Sequence, residues 1–203
     1  MRRVQGYQFE AMPNGEQLRH LRRFAGSCRF VYNQALALNQ NRYEAKEKRL
    51  GYADLCALLP QWKLAHPWLA DTPAQALQQS LKDLERAYTN FVTKQADFPD
   101  FHKKGRKDSF RIPQGFQVDN QNGRIKLSKM GWMRYRKSRE IAGTPKNVTV
   151  SLVNGKVFIS IQTEREVETP MHPSESSGEE GEPPRLYGPL CSYISLLSAN
   201  ALL

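Results

Sequence analysis

Hydrophobic and polar positions order the chain as a strand, then helices, then strands. Residues 4–10 alternate, with Val4, Gly6 and Gln8 on one face and Tyr7 and Phe9 on the other, as in a short strand. Met12-Pro13-Asn14-Gly15 breaks that pattern. Asn14 then suits a helix N-cap, with Gln17 three residues later completing a capping box. Leu18, Leu21, Ala25, Cys28, Tyr32, Ala35 and Leu36 follow at helical spacing, a single apolar stripe that extends to about Lys48. Phe24, Phe30, Val31 and Tyr32 are expected in the core. Gly26 costs ~1 kcal/mol relative to Ala inside a helix. Two short helices joined near Gly26-Ser27, superficially a helix-turn-helix, and one long bent helix are both compatible with the pattern.

Gly51 opens a break, and the spacing predicts a short helix from Tyr52 to Leu59, ended by Pro60. Trp62, Pro67 and Trp68 fall in an irregular connector. Thr72 then predicts a cap, with Pro73 at the first helical position and Gln75 closing the box. Leu77, Leu81, Leu84, Tyr88 and Phe91 carry this helix to Lys94, its stripe packing on the first long helix. From Phe116 the pattern turns to strands. Asn122-Gly123 marks a hairpin, and Trp132, Arg134 and Arg136 alternate with Met133 and Tyr135. Thr144-Pro145 is expected to break the chain. Residues 147–153 and 156–164 then form a second hairpin around Asn154-Gly155.

An isolated N-terminal strand cannot satisfy its backbone, so it must join the C-terminal strand set. The expected class is α+β: a small wedge-type β-barrel or curled sheet with a helical bundle inserted after its first strand. The expected segments are a first strand (1–13), the helical insert (14–100), a basic stretch with the remaining strands (101–169), and a tail (170–203). The tail begins as a Pro/Ser/Glu/Gly linker, PMHPSESSGEEGEPP, expected to be disordered. The apolar, Ser-rich end, RLYGPLCSYISLLSANALL, lacks clean periodicity and is expected to be flexible or non-native.

Charge sharpens this picture. The 203 residues carry a net +10, and residues 174–203 account for −3, leaving +13 for the rest. A balance this basic points to a polyanion, nucleic acid before an anionic membrane surface. Residues 101–139 hold twelve Lys or Arg against two acids, Asp108 and Asp119, with Phe101, Phe110, Phe116, Trp132 and Tyr135 threaded between them. Cations neutralise phosphates and flat rings stack on exposed bases. The backbone candidates are Lys103, Lys104, Arg106, Lys107 and Arg111, supported by Arg134, Arg136 and Lys137. Trp132 and Phe110 are stacking candidates, Trp132 being equally suited to the core. Neutralising about six phosphates predicts a ~1,000-fold loss of affinity between 50 and 200 mM salt. Cys28, Cys56 and Cys191 form no CxxC pair or disulfide framework, as expected of reduced thiols in the cytoplasm. No N-terminal apolar run suggests a secretory signal, and no segment supplies about 20 apolar residues for a membrane span.

Four stretches resemble the OrfB/TnpB proteins of bacterial insertion sequences, relatives of type V CRISPR effectors. They are RRVQGYQFEAMPNGEQ at the start, GSCRFVYNQAL (residues 26–36), LQQSLKDLERAYTNF (residues 77–91), and FPDFHKKGRKDSFRIP with GRIKLSKMGW. Together the resemblance covers residues 1–173. It implies an RNA-guided DNA nuclease long described as a transposase, whose N-terminal half is a wedge barrel with a helical recognition insert. That half holds guide RNA and reads a short duplex motif in target DNA. Tyr52 and Gln78 match positions near the motif-reading surface, and Gln can bond an adenine edge; capping or bundle-surface roles fit them equally. Cleavage in the family belongs to a C-terminal domain using Mg and Zn. Its GIDLG strand, catalytic carboxylates and CxxC pair have no match here, and GEEGEPPRLYGPL stands where that strand is expected.

The expectation is therefore a truncated, non-catalytic copy, nucleoid-associated in a bacterial cytoplasm, binding guide RNA and double-stranded DNA without a cofactor or a membrane. Residues 178–203 are expected to come from an out-of-frame read-through. The alternatives are a transposase or nuclease component relying on a catalytic domain supplied elsewhere, and a ribosomal or structural RNA-binding protein.

Overall fold

In the computed structural model, residues 1–105 and 108–167 are described. The expected linker and tail lie outside them. The first strand, β1 (Arg2–Met12), buries Tyr7, Phe9 and Ala11 on one face. Helix α1 (Gly15–Glu44) follows at once, and the Asn14–Gln17 capping box forms as predicted: Gln17 N–H donates to Asn14 Oδ1 at 2.7 Å, and Asn14 N–H to Gln17 Oε1 at 3.1 Å. The helix runs unbroken through Gly26 for 30 residues. The apolar stripe continues on both sides of Gly26, and burial of Phe24, Ala25, Cys28 and Val31 outweighs the cost of one glycine. The structure thus decides for one long helix, without an internal turn.

Helix α2 (Tyr52–Ala65) contains Pro60 and passes it, where the sequence predicts a stop. Proline removes one backbone bond and crowds the preceding turn. Buried Leu59 and half-buried Trp62 hold the last turns on the core. A 3-10 helix, Pro67–Asp71, leads into α3 (Ala74–Val92). The cap expected at Thr72 does not form: Pro73 takes the cap position without a side-chain bond, and Thr72 is buried with its hydroxyl unpartnered. Gln75 instead reaches Gln114 at 3.4 Å.

The remaining strands are β2 (Asp108–Ile112), β3 (Gln117–Asp119), β4 (Arg124–Leu127), β5 (Gly131–Tyr135), β6 (Thr144–Val153) and β7 (Lys156–Glu166). All pairings are antiparallel, in the order β2-β6-β7-β1-β5-β4-β3. The N-terminal strand therefore lies at the centre of the sheet, between β7 and β5. The sheet is open rather than a closed barrel. Its edges, β2 and β3, have five and three residues and each pairs with one neighbour. The Asn154-Gly155 turn sits at φ +49° and +78°, the conformation that matches strand twist in a two-residue hairpin. Val148, Val150 and Leu152 face Ile161, Ile159 and Val157 in the β6–β7 register. Thr144-Pro145 lies inside β6 instead of breaking it, because a register shift between Pro145 and Asn147 absorbs the proline.

One core joins both layers. The inner sheet face contributes Phe9, Ile112, Ile125, Leu127, Met133, Val150 and Ile159, and the helices contribute Leu21, Phe24, Leu36, Leu55, Leu77, Leu81 and Leu84. Phe24 of α1 meets Phe110 of β2 edge-on, ring centroids 5.9 Å apart. Covering this face with helices leaves the outer sheet face and the polar side of α1 to carry function.

Candidate nucleic-acid interface

Strand alternation sends every second residue of β4 and β5 away from the core. Ile125, Leu127, Met133 and Tyr135 point inward, while Arg124, Lys126, Trp132 and Arg134 are exposed. Register brings these four together, Lys126 opposite Trp132 and Arg124 opposite Arg134. Arg134 pairs next with Met12 of β1. Lys156 starts β7 one position beyond the Ala11–Val157 pair, and its ammonium lies 3.5 Å from Glu10 of β1. A cationic row therefore crosses β4, β5, β1 and β7 on the outer face. The Arg124 guanidinium lies over the Trp132 ring, 4.7 Å from its centroid, and bonds Asp119 at 2.7 Å. Hydrogen bonds from Asn122, then Arg124, lower the Asp119 carboxyl to about 2, so it remains an anion. Arg136 and Lys156 flank Glu10 at 3.4 and 3.5 Å. Gln17 of α1 donates to the Trp132 carbonyl at 2.8 Å, fixing the helix start against the row.

Past Lys156, the Asn154-Gly155 turn lines a groove of about 620 Å³ with Arg22, Arg23, Arg29, Lys104 and Asp108. The loop carrying Lys103 and Lys104 is fastened to α1. The Asn33 amide accepts from His102 N–H at 2.8 Å and donates to its carbonyl at 3.0 Å. The His102 ring stacks on Tyr32 with centroids 3.8 Å apart. Asp108 bonds Arg29 at 2.5 Å and accepts from Gly105 N–H at 3.0 Å. Lys103 and Lys104 stay exposed, without an acidic partner among the described residues.

The sequence candidates divide accordingly. Lys104 lies in the groove with Lys103 beside it on the same loop, and Trp132 and Arg134 lie on the row. Arg136 is 71% exposed despite its Glu10 contact. Arg106 and Lys107 lie outside the described residues. Arg111 turns toward α3 and pairs with Asp83 at 3.5 Å, so it braces β2 against the helix. Lys137 pairs with Glu140 at 3.1 Å. Phe110, a stacking candidate by sequence, is buried against Phe24 and belongs to the core; Tyr135 is buried too. Trp132 is exposed and outside the core. Tyr52, the first residue of α2, and Gln78 on α3 are half-buried, and Tyr52 packs against the core.

Sequence reasoning missed Arg22, Arg23, Arg29, Lys126 and Lys156. The signal was available: Arg22 and Arg23 fall off the apolar stripe of α1, Arg29 flanks it, and Lys126 alternates with buried neighbours. The acids are dispersed. Asp71, Asp83, Asp108, Asp119, Glu10, Glu85 and Glu164 each face a Lys or Arg. Among the described residues no group of three or more His, Cys, Asp or Glu could hold a metal ion. No described helix is long and apolar enough to cross a membrane.

Residues 1–48 match the OrfB family described as "Helix-turn-helix domain". Here that span comprises β1 and the single helix α1. The chain is 54% identical over 178 residues to an Escherichia coli protein named "Putative RNA-guided DNA endonuclease InsQ", covering 87% of this chain and 44% of that protein. It is 28% identical over 166 residues to a Streptomyces pristinaespiralis protein named "Putative RNA-guided DNA endonuclease", covering 78% and 41%. It thus spans less than half the length of these two curated relatives.

Proposed function

We propose, from its match to the OrfB family over residues 1–48 and its 54% identity to a relative named a putative RNA-guided DNA endonuclease, that the described region is a nucleic-acid-binding module that holds guide RNA beside target DNA and does not itself cut. The observation that carries this is the outer-face row, Lys126, Arg124, Arg134 and Lys156, running into the groove of Arg22 and Lys104. Such a surface neutralises successive phosphates, and Trp132 within it offers a ring to an unstacked base. Lys103, Arg136 and the neighbouring Arg106 and Lys107 extend the backbone contacts. Through the family resemblance, Tyr52 and Gln78 are assigned to the target duplex.

Two-metal hydrolysis needs carboxylates gathered around ions ~3.5–4 Å apart. The described acids do not fit that requirement, since they are spread over separate ion pairs. Mg and Zn are accordingly assigned no role in this region.

The test is to express the full chain, sequence the RNA that copurifies, and incubate the complex with Mg²⁺ and plasmid bearing the matching target. One enriched RNA bound without cleavage is expected. Cleavage only once a separate catalytic domain is added would make it a nuclease component, the alternative, and cleavage by the chain alone would overturn the proposal. Absence of any bound RNA would remove the proposal.

A further inference from the structure

A second groove, about 680 Å³, runs along the polar side of α1 between Trp68 and Phe101. Its lining follows helical spacing, with Arg23, Gly26, Ser27 and Phe30 along the floor. Trp68 and Phe101 are 41% and 46% exposed, unusual for large rings that face one cleft. Trp68 is held edge-on to Phe30, centroids 5.1 Å apart, and Phe30 is braced in turn by His66 at 4.8 Å. Phe101 is carried by the loop that Asn33 fastens through His102. The Trp68 ring and the backbone that carries Phe101 are thus set in place before any ligand arrives.

The floor is open and mostly apolar, with Ser27 and Arg23 among its polar groups. A Cβ at Gly26 would meet only the Arg29 guanidinium, at 3.9 Å. Ser27 is buried, lines the groove, and its hydroxyl has no hydrogen-bond partner, a cost that a ligand's polar edge would relieve. Arg23 and Arg29 line this groove and also the cationic groove of Arg22 and Lys104, so the two clefts share a wall. Phosphates on one side of that wall place bases on the other.

We propose that the Trp68–Phe101 groove takes unpaired bases of a single-stranded RNA segment whose phosphates cross Arg22 and Lys104. The proposal rests on the RNA-binding function above. A duplex hides its base faces in the stack, whereas RNA loops and bulges present them to aromatic side chains.

The test measures binding of the full chain to a 12-nucleotide oligoadenylate RNA and to an abasic ribose-phosphate 12-mer of equal charge. Trp68→Ala and Phe101→Ala are each expected to weaken the RNA about five- to 150-fold, from the usual worth of one stacked base. Neither should change binding of the abasic strand. Trp68→Tyr keeps a ring and should retain affinity, which separates stacking from damage to the fold. Arg22→Ala with Lys104→Ala should weaken both probes. Unchanged RNA binding by the ring variants, or equal losses on the abasic strand, overturns the proposal while leaving the cationic surface intact. Equal dependence of oligodeoxyadenylate DNA on the two rings overturns the assignment to RNA. If the wild-type chain binds neither RNA nor the abasic strand, RNA binding itself fails.

Discussion

Replacing Lys126 and Arg134 together with alanine tests the cationic row where it is least shielded. Both are exposed on the outer sheet face and neither has an acidic partner among the described residues. Arg22, Lys103 and Lys104 share that condition, which makes five free cations along the row and groove. If each meets one phosphate of a single strand, log affinity should fall with log salt at a slope of about −3.5, from ~0.7 per phosphate. Affinity should then drop ~130-fold between 50 and 200 mM salt. The double variant keeps three contacts, so its slope should be about −2 and its loss ~20-fold over the same range. Fluorescence anisotropy of a labelled 20-nucleotide RNA across a KCl series measures both slopes. Arg111→Ala is the comparison, since Arg111 is engaged with Asp83 and should leave the slope in place. A double variant with the wild-type slope, or an Arg111 variant that flattens it, refutes the assignment of phosphate contacts.

Three further outcomes follow from the fold. Phe24→Ala removes a fully buried ring packed on Phe110 and should cost about 3–5 kcal/mol in urea unfolding; a loss under 1 kcal/mol contradicts the helix–sheet seam. Burial pushes the Cys28 thiol from 9.0 up to about 12, so the fold favours its protonated form. That stability is intact below pH 9 and is lost as pH rises from 9 toward 12, a decline Cys28→Ala should reduce; urea midpoints at pH 8 and 10.5 check it. Tyr32, raised to about 12 mainly by burial, adds a similar decline above pH 10 that the Cys28 variant keeps. The Asp119 carboxyl is lowered from 3.8 to about 2, so the stability it lends the β3–β4 turn is present above 3.8 and lost as pH falls toward 2. An NMR titration should follow that low midpoint, Asp119→Asn should abolish it, and a carboxyl titrating near 4 contradicts the turn geometry.

The elements most legible in sequence were those fixed by local chemistry. Asn14 and Gln17 are three residues apart, so their capping box needs no tertiary help, and it forms. Asn154-Gly155 sets its hairpin through two positive φ angles. Tyr7, Phe9 and Ala11 show their buried face by alternation. What failed depended on distant packing. Pro60 looks like a stop until Leu59 and Trp62 are seated on the core, and Thr72 looks like a cap until its hydroxyl is buried. Strand β2 was hidden among charges, because Phe110 and Ile112 alternate for only five residues. The same dependence governed the interface. Lys103 and Lys104 stood out in a dense run, but Arg22, Arg29 and Lys156 come from other parts of the chain and meet only through the register and the 101–105 loop. Counting cations could not reveal that Arg111 faces Asp83.

The central claim, that the outer-face row and the α1 groove form one RNA-binding surface, is tested most directly by photocrosslinking. A 20-nucleotide RNA carrying 4-thiouridine at successive positions is bound to the full chain, irradiated, and mapped by mass spectrometry. Crosslinks should concentrate on Trp132, Arg134, Lys104, Phe101 and Trp68. Crosslinks confined to the exposed cations of α3, Lys82 and Arg86, with none on the row or the groove, would contradict it.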